Sequence, residues 1–208
     1  MAKVKICGLA NYNDALDATN LGADFLGFHF IKESPKKTSE KLVADIVSKL
    51  PPFVTPVGIF SGADIKAISK TVKKCGLKNI QFNGVETPEF CKAVREELGV
   101  KVFKYFELED ENALLKLQPY LQDADYFVIN ISYIDGETVK HNFELASKAA
   151  SFKVPIFISG NLKPEDVREA LETAAPFGLD ADAGIERLPK RKDYDKMNAF
   201  IRYTHGLR

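Results

Sequence analysis

Eight times along the chain, a short run of β-branched and aromatic residues gives way to a stretch whose apolar residues recur at helical spacing. The strand-like runs are Val4–Gly8, Phe25–Phe30, Thr55–Phe60, Asn79–Asn83, Val100–Leu108, Tyr126–Ser132, Pro155–Gly160 and Phe177–Asp182. The helical stretches are Asn13–Leu21, Ser39–Leu50, Asp64–Cys75, Pro88–Leu98, Glu111–Leu121, Phe143–Phe152, Pro164–Ala175 and Tyr194–Thr204. Start signals such as Ser39 before Glu40 and Thr87 before Pro88, and Gly22, Gly76 and Gly99 just past helix ends, agree with that period. A helix between two successive strands is a crossover, so the strands run parallel, and eight such units are the number that closes a (β/α)8 barrel. Spread over 208 residues the units average about 26 residues, which predicts one compact α/β domain spanning 1–208. The competing open, doubly wound sheet lacks its Gly-x-Gly-x-x-Gly turn after the first strand.

Charge narrows the function classes. The 29 Lys and Arg balance 29 Asp and Glu, so the basic footprint expected of a protein that binds a phosphate backbone is missing, and nucleic acid is not expected as a partner. The chain enters a strand pattern at once, with no apolar region of a signal peptide and no run of ~18 apolar residues, so the expectation is a cytoplasmic protein without membrane association. Cys7, Cys75 and Cys91 are odd in number and far apart, which reads as reduced thiols with no zinc or redox spacing.

In a TIM barrel the binding and catalytic groups sit at the C-terminal strand ends and in the loops after them. That singles out Cys7, His29, Lys36, Asn83, Lys104, Asn130, Asp135, Gly160, Asn161, Asp182 and Gly184. Alternation places Lys5 one layer below Cys7, and Asp180 one layer below Asp182 on the neighbouring eighth strand. A Lys5–Asp180 pair inside the barrel accounts for two charges in otherwise apolar strands, because a buried charge must be paired. Gln81 and Asn83 share one face of strand four and suggest a wet upper cavity. His29, His141 and His205 show no metal-ligand spacing and read as structural histidines.

Several segments carry a resemblance. Lys5-Ile6-Cys7-Gly8, Gly22 to Phe28, Ser34-Pro35-Lys36, Val57 to Phe60, Ile158 to Val167, and Gly184-Ile185-Glu186 with Lys192-Asp193 together resemble the phosphoribosylanthranilate isomerase family, nearly end to end and in order. The resemblance implies a (β/α)8 enzyme of tryptophan biosynthesis that catalyses an Amadori rearrangement of N-(5-phosphoribosyl)anthranilate. An acid protonates the furanose ring oxygen, a base removes the C2 proton, and neither metal nor organic cofactor is needed. By resemblance Cys7 falls on the general-base cysteine, and Asn130 stands where the family carries its acid, an Asp. An amide has no titratable proton to deliver. Asp135, five residues on in the following loop, is the candidate substitute, although a loop aspartate ordinarily reads as solvated.

The implied substrate-binding positions are Lys36, Asn83, Gly160, Asn161, Asp182 and Gly184. Lys36 replaces an arginine associated with the anthranilate carboxylate, keeping the charge and losing the planar fork. Asn83 replaces a histidine. Gly160 and Gly184 keep the phosphate-loop glycines, whereas Asn161 stands for a second glycine and Asp182-Ala183 for a serine pair. A carboxylate ~5 Å from a dianion at an effective dielectric of ~20 costs roughly 6 kcal/mol, so phosphate should bind poorly unless Asp182 turns away or is paired. Lys190, Arg191 and Lys192 are near enough in sequence to pair with it, although such a run ordinarily reads as a solvated helix entry; Lys36 and Lys37 likewise have an ordinary reading as solvated loop lysines, and Cys7 as a small buried hydrophobe.

Three functions follow for a monomer or homodimer acting on a small molecule. The leading one is the family isomerisation. The alternative is a repurposed barrel that lacks this activity and binds or acts on a non-phosphorylated or cationic small molecule, motivated by Asp182. The third is a non-catalytic scaffold of the tryptophan pathway.

Overall fold

The computed structural model describes residues 1–131 and 138–207. Its eight parallel strands pair in chain order and close on themselves: β1 (Lys3–Ile6), β2 (Phe25–His29), β3 (Thr55–Phe60), β4 (Asn79–Phe82), β5 (Lys101–Leu108), β6 (Tyr126–Ile131), β7 (Ile156–Gly160) and β8 (Gly178–Ala181). The ring is sealed by β1 against β8, with Lys5 beside Asp180 and Ile6 beside Ala181. The expected fold is therefore the observed one, a single-domain TIM barrel.

The crossovers are α1 (Tyr12–Leu21), α2 (Glu40–Val47), α3 (Ile65–Cys75), α4 (Pro88–Leu98), a 3-10 helix (Glu111–Tyr120), α5 (Thr138–Ala150), α6 (Val167–Ala174) and α7 (Tyr194–Thr204). Their starts are set by short polar side chains: Ser39, Asp64, Thr87 and Asp193 each accept a hydrogen bond from the backbone N–H three residues on. Their inner faces bury Val43 and Ile46 of α2, Ile68 and Val72 of α3, and Cys91 and Val94 of α4 against the outside of the barrel. None of the described helices is long and apolar enough to cross a membrane.

Inside the ring, Phe25, Val57, Phe103, Val128 and Phe157 form a cluster of their own with Tyr105 and Tyr126 packed on it. Phe103 stacks on Tyr126 at 4.3 Å between centroids, and Phe25 meets Phe157 edge to face at 5.2 Å. Burying each such ring contributes about 1.5–3 kcal/mol, so the lower barrel is a packed plug. Because these aromatic positions point inward, so do the residues two and four places further along each strand: Gly27 and His29 in β2, Tyr105 and Glu107 in β5, Asn130 in β6.

Three local expectations are corrected. The fifth crossover is wound as a 3-10 helix, with Pro119 in its last turn lacking the N–H that an α-helical bond would need. The sixth helix begins at Thr138, ahead of the expected Phe143. The run Lys190-Arg191-Lys192 is no solvated helix entry: Glu186–Leu188 (β9) and Arg191–Lys192 (β10) form an antiparallel ribbon over the barrel mouth, with Lys190 at its turn in a left-handed conformation.

Candidate active site

The floor of the barrel mouth is a buried polar layer. Lys5 Nζ donates to Asp180 Oδ2 at 2.8 Å with both side chains fully buried, as alternation predicted. Burial opposes the ammonium form of Lys5, and the Asp180 carboxylate outweighs it, so its pKa is raised. On the opposite wall buried Gln81 donates to Asn83 Oδ1 at 2.8 Å. Gln81 Oε1 and Asp180 Oδ1 are buried with no partner among the described residues, so polar capacity remains directed at the mouth.

Above this floor, Cys7 Sγ lies 3.7 Å from His29 Nε2. Burial pushes the Cys7 thiol up to about 12 against the pull of the Lys5 ammonium, and burial brings the His29 imidazole down to about 4 against Asp182. The resting pair is therefore neutral thiol and neutral imidazole at physiological pH. Ser34 Oγ lies 3.3 Å from the other ring nitrogen of His29 and accepts from the Lys36 N–H at 3.1 Å, tying the second loop to the pair. His29 was expected to be structural; its inward parity with Phe25 was the signal that places it here. His205, by contrast, is structural, 3.3 Å from Asp24. The side chain of His141 lies outside the described residues.

Asp182 is the centre of a four-member charge cluster. Its Oδ1 accepts from Lys36 Nζ at 2.6 Å and Lys192 Nζ at 2.8 Å, and both ammoniums also reach Glu186 Oε1, at 3.0 and 3.2 Å. Burial works against the Asp182 anion, and the Lys192 and Lys36 ammoniums outweigh it, holding the carboxyl at about 2. Neither lysine is an ordinary solvated one, because the β9–β10 ribbon turns Lys192 inward while the β2–α2 loop folds Lys36 across the mouth. Gly8, at φ 68°, is where the chain passes under this cluster: a Cβ there would strike Asp182 Oδ1 and come within 2.8 Å of Lys36 Cδ. Glu186 carries no chemical signal in the sequence; its place between two lysines appears only in three dimensions.

The other half of the mouth is sparser. Asn130 sits at the end of β6 with Glu107 of β5 directly beside it in register, and Tyr105, whose ring packs in the barrel, donates its hydroxyl to Glu107 Oε1 at 3.1 Å. Gly160 ends β7 next to Asn130, its Cβ position 3.3 Å from Asn130 Oδ1. Asn161 follows it, exposed. Gly184 lies in the 3-10 turn after β8, where its backbone passes so close to the Leu162 carbonyl that any side chain would collide. Asp135 lies outside the described residues. Lys104 is not at the mouth: it has the outward parity, is buried under the helical layer, and donates to the Gly84 carbonyl at 2.7 Å.

Cys7, His29 and Asp182 bring one donor atom each to within 4.8 Å of one another, a spacing that a metal ion requires. The charge around them answers differently, since the Asp182 oxygen is already bonded to two ammoniums and the Lys5 ammonium acts on Cys7 from below. A dication would have to displace the Lys36 and Lys192 ammoniums from that oxygen, so the set fits a lysine-compensated anion better than a metal.

Comparison with known proteins places these features. The family model described as N-(5'-phosphoribosyl)anthranilate (PRA) isomerase matches residues 4–203. A Geobacter sulfurreducens protein named N-(5'-phosphoribosyl)anthranilate isomerase is 36% identical over 207 residues, covering 99% of this chain and 100% of that protein. Among solved structures, phosphoribosyl anthranilate isomerase from Thermotoga maritima superposes with a TM-score of 0.92 at 30% identity, covering all of both chains. A phosphoribosyl anthranilate isomerase in complex with reduced 1-(o-carboxyphenylamino)-1-deoxyribulose 5-phosphate superposes with a TM-score of 0.88 at 31% identity, again over all of both chains.

Proposed function

The chain belongs to the N-(5'-phosphoribosyl)anthranilate isomerase family, which makes it an isomerase of the aldose–ketose type, and we propose that it performs the Amadori rearrangement of that family with Cys7 as general base and Asn130 as a hydrogen-bonding group at the ring oxygen. The observation that carries this reading is the Cys7–His29 contact directly above the Lys5–Asp180 pair, at the mouth of a closed barrel. Protonation of the furanose oxygen breaks the C1–O bond while the anilino nitrogen lone pair forms C1=N. Removal of the C2 proton then returns that pair to nitrogen as an enolamine, which takes a proton at C1 and loses one from the C2 hydroxyl. Atoms and electrons balance without a cofactor.

The Cys7 thiol must first lose its own proton, and His29 Nε2, 3.7 Å away, is the polar group that faces the sulfur. Lys5 beneath favours the thiolate once formed. At the substrate's anionic ends, Lys36 and Lys192 are the cations on hand, and Asp182 and Glu186 hold them until substrate arrives. With Lys36 and Lys192 set against Asp182 and Glu186 the cluster carries no net charge, so the roughly 6 kcal/mol that a lone carboxylate would cost a nearby dianion does not apply. The reading of a barrel retuned for cationic ligands drew on an uncompensated Asp182, and with Lys36 and Lys192 bonded to it that motive is gone. Purified protein mixed with freshly generated phosphoribosylanthranilate should abolish the substrate's fluorescence with saturable kinetics; a folded preparation that leaves the signal unchanged rejects the proposal.

A further inference from the structure

Resting on that reading, we infer that the ring-opening proton comes from Glu107, so that the general acid has moved one strand over, from β6 to β5. Asn130 and Glu107 are paired in register, and on neighbouring parallel strands paired residues lie ~5 Å apart with their side chains on the same face. An oxygen held by the Asn130 amide is thus within reach of the Glu107 carboxyl. Glu107 faces the mouth, because the hydroxyl of inward-packed Tyr105 donates to its Oε1 and leaves Oε2 to carry the proton. It is also exposed, so bulk water reprotonates it between turnovers.

Four other carboxyls near the mouth are committed. Asp182 and Glu186 each face Lys36 and Lys192. Asp180 lies a layer down on Lys5. Glu86 accepts from the N–H groups of Gly62 and Gly84. Glu107, beside Asn130, makes no ion pair among the described residues, unlike Asp180, Asp182 and Glu186. In the step, the Glu107 O–H bond breaks as the furanose oxygen takes the proton, the C1–O bond breaks with its pair going to that oxygen, and the carboxylate is left to collect a proton from water.

The test is a set of four variants assayed on phosphoribosylanthranilate beside wild type. Glu107→Gln should lower kcat by ~10²–10⁴ with KM little changed. Returning a carboxyl to β6 in the Glu107→Gln/Asn130→Asp double variant should restore most of the loss, read against Asn130→Asp alone as its reference. Tyr105→Phe keeps the carboxyl and should cost less than about tenfold. An active wild type with an equally active Glu107→Gln, or a double variant no better than Glu107→Gln, overturns the inference alone. An inactive wild type overturns the family reading and takes the inference with it.

Discussion

The two halves of the barrel mouth are built on opposite principles. Around β8, β1 and β2, buried or half-buried charges are crowded and mutually satisfied: Lys5 with Asp180, Lys36 and Lys192 with Asp182 and Glu186, and Cys7 against His29. Around β4 to β6 the inward positions carry Asn83, Glu107 and Asn130, two amides and a single carboxylate tied to a phenol. The crowded half ties its lysines and carboxylates into ion pairs around the neutral Cys7–His29 contact. The sparse half keeps a group whose proton is not spoken for.

The contrast is broken most directly at its centre. Cys7→Ala should reduce kcat by ~10²–10⁴ in the fluorescence assay, and wild-type turnover would remove catalysis from the crowded half. Lys5→Met should cost about 3–5 kcal/mol in urea unfolding by leaving Asp180 buried and alone, and the Lys5→Met/Asp180→Leu pair should recover most of it. If Lys5→Met is silent, the floor is wetter than its burial implies.

His29 gives the next effect. Its folded pKa, about 4 against an ordinary 6.5, is depressed by burial, so the unfolded chain binds the proton first as pH falls. Stability from the neutral ring is fully present above pH 6.5 and is lost as pH falls toward 4, by about 3 kcal/mol. His29→Gln should flatten that part of the stability curve, and an unchanged slope between those pH values would show the loss arises elsewhere. The smallest expected effect is at Asp182. Asp182→Ser frees Lys36 and Lys192 for the substrate's anions and should lower KM about tenfold; an unchanged KM would put the cluster outside the substrate's path.

Much of this architecture was legible in one dimension. The strand period of two and the helical crossovers give parallel order, number and facing, and from these alone Lys5 meets Asp180 and Asn130 reaches the rim. The Glu111–Tyr120 crossover was legible as helical and not as 3-10, because its inward residues Ala113, Leu117 and Tyr120 are spaced by four and three, as on an α-helix. The direction of His29 is not legible because strand two is apolar on both faces, which hides which set points inward. Alternation and crossover are local rules, written within a dozen neighbours. The pairing of Lys36 with Asp182 spans 146 residues, and Glu107 stands beside Asn130 through the register of two strands that no turn connects. Such matters depend on how the closed ring staggers its strands and folds its loops back over the mouth, and on which ammonium is then near enough to offset which carboxylate's burial.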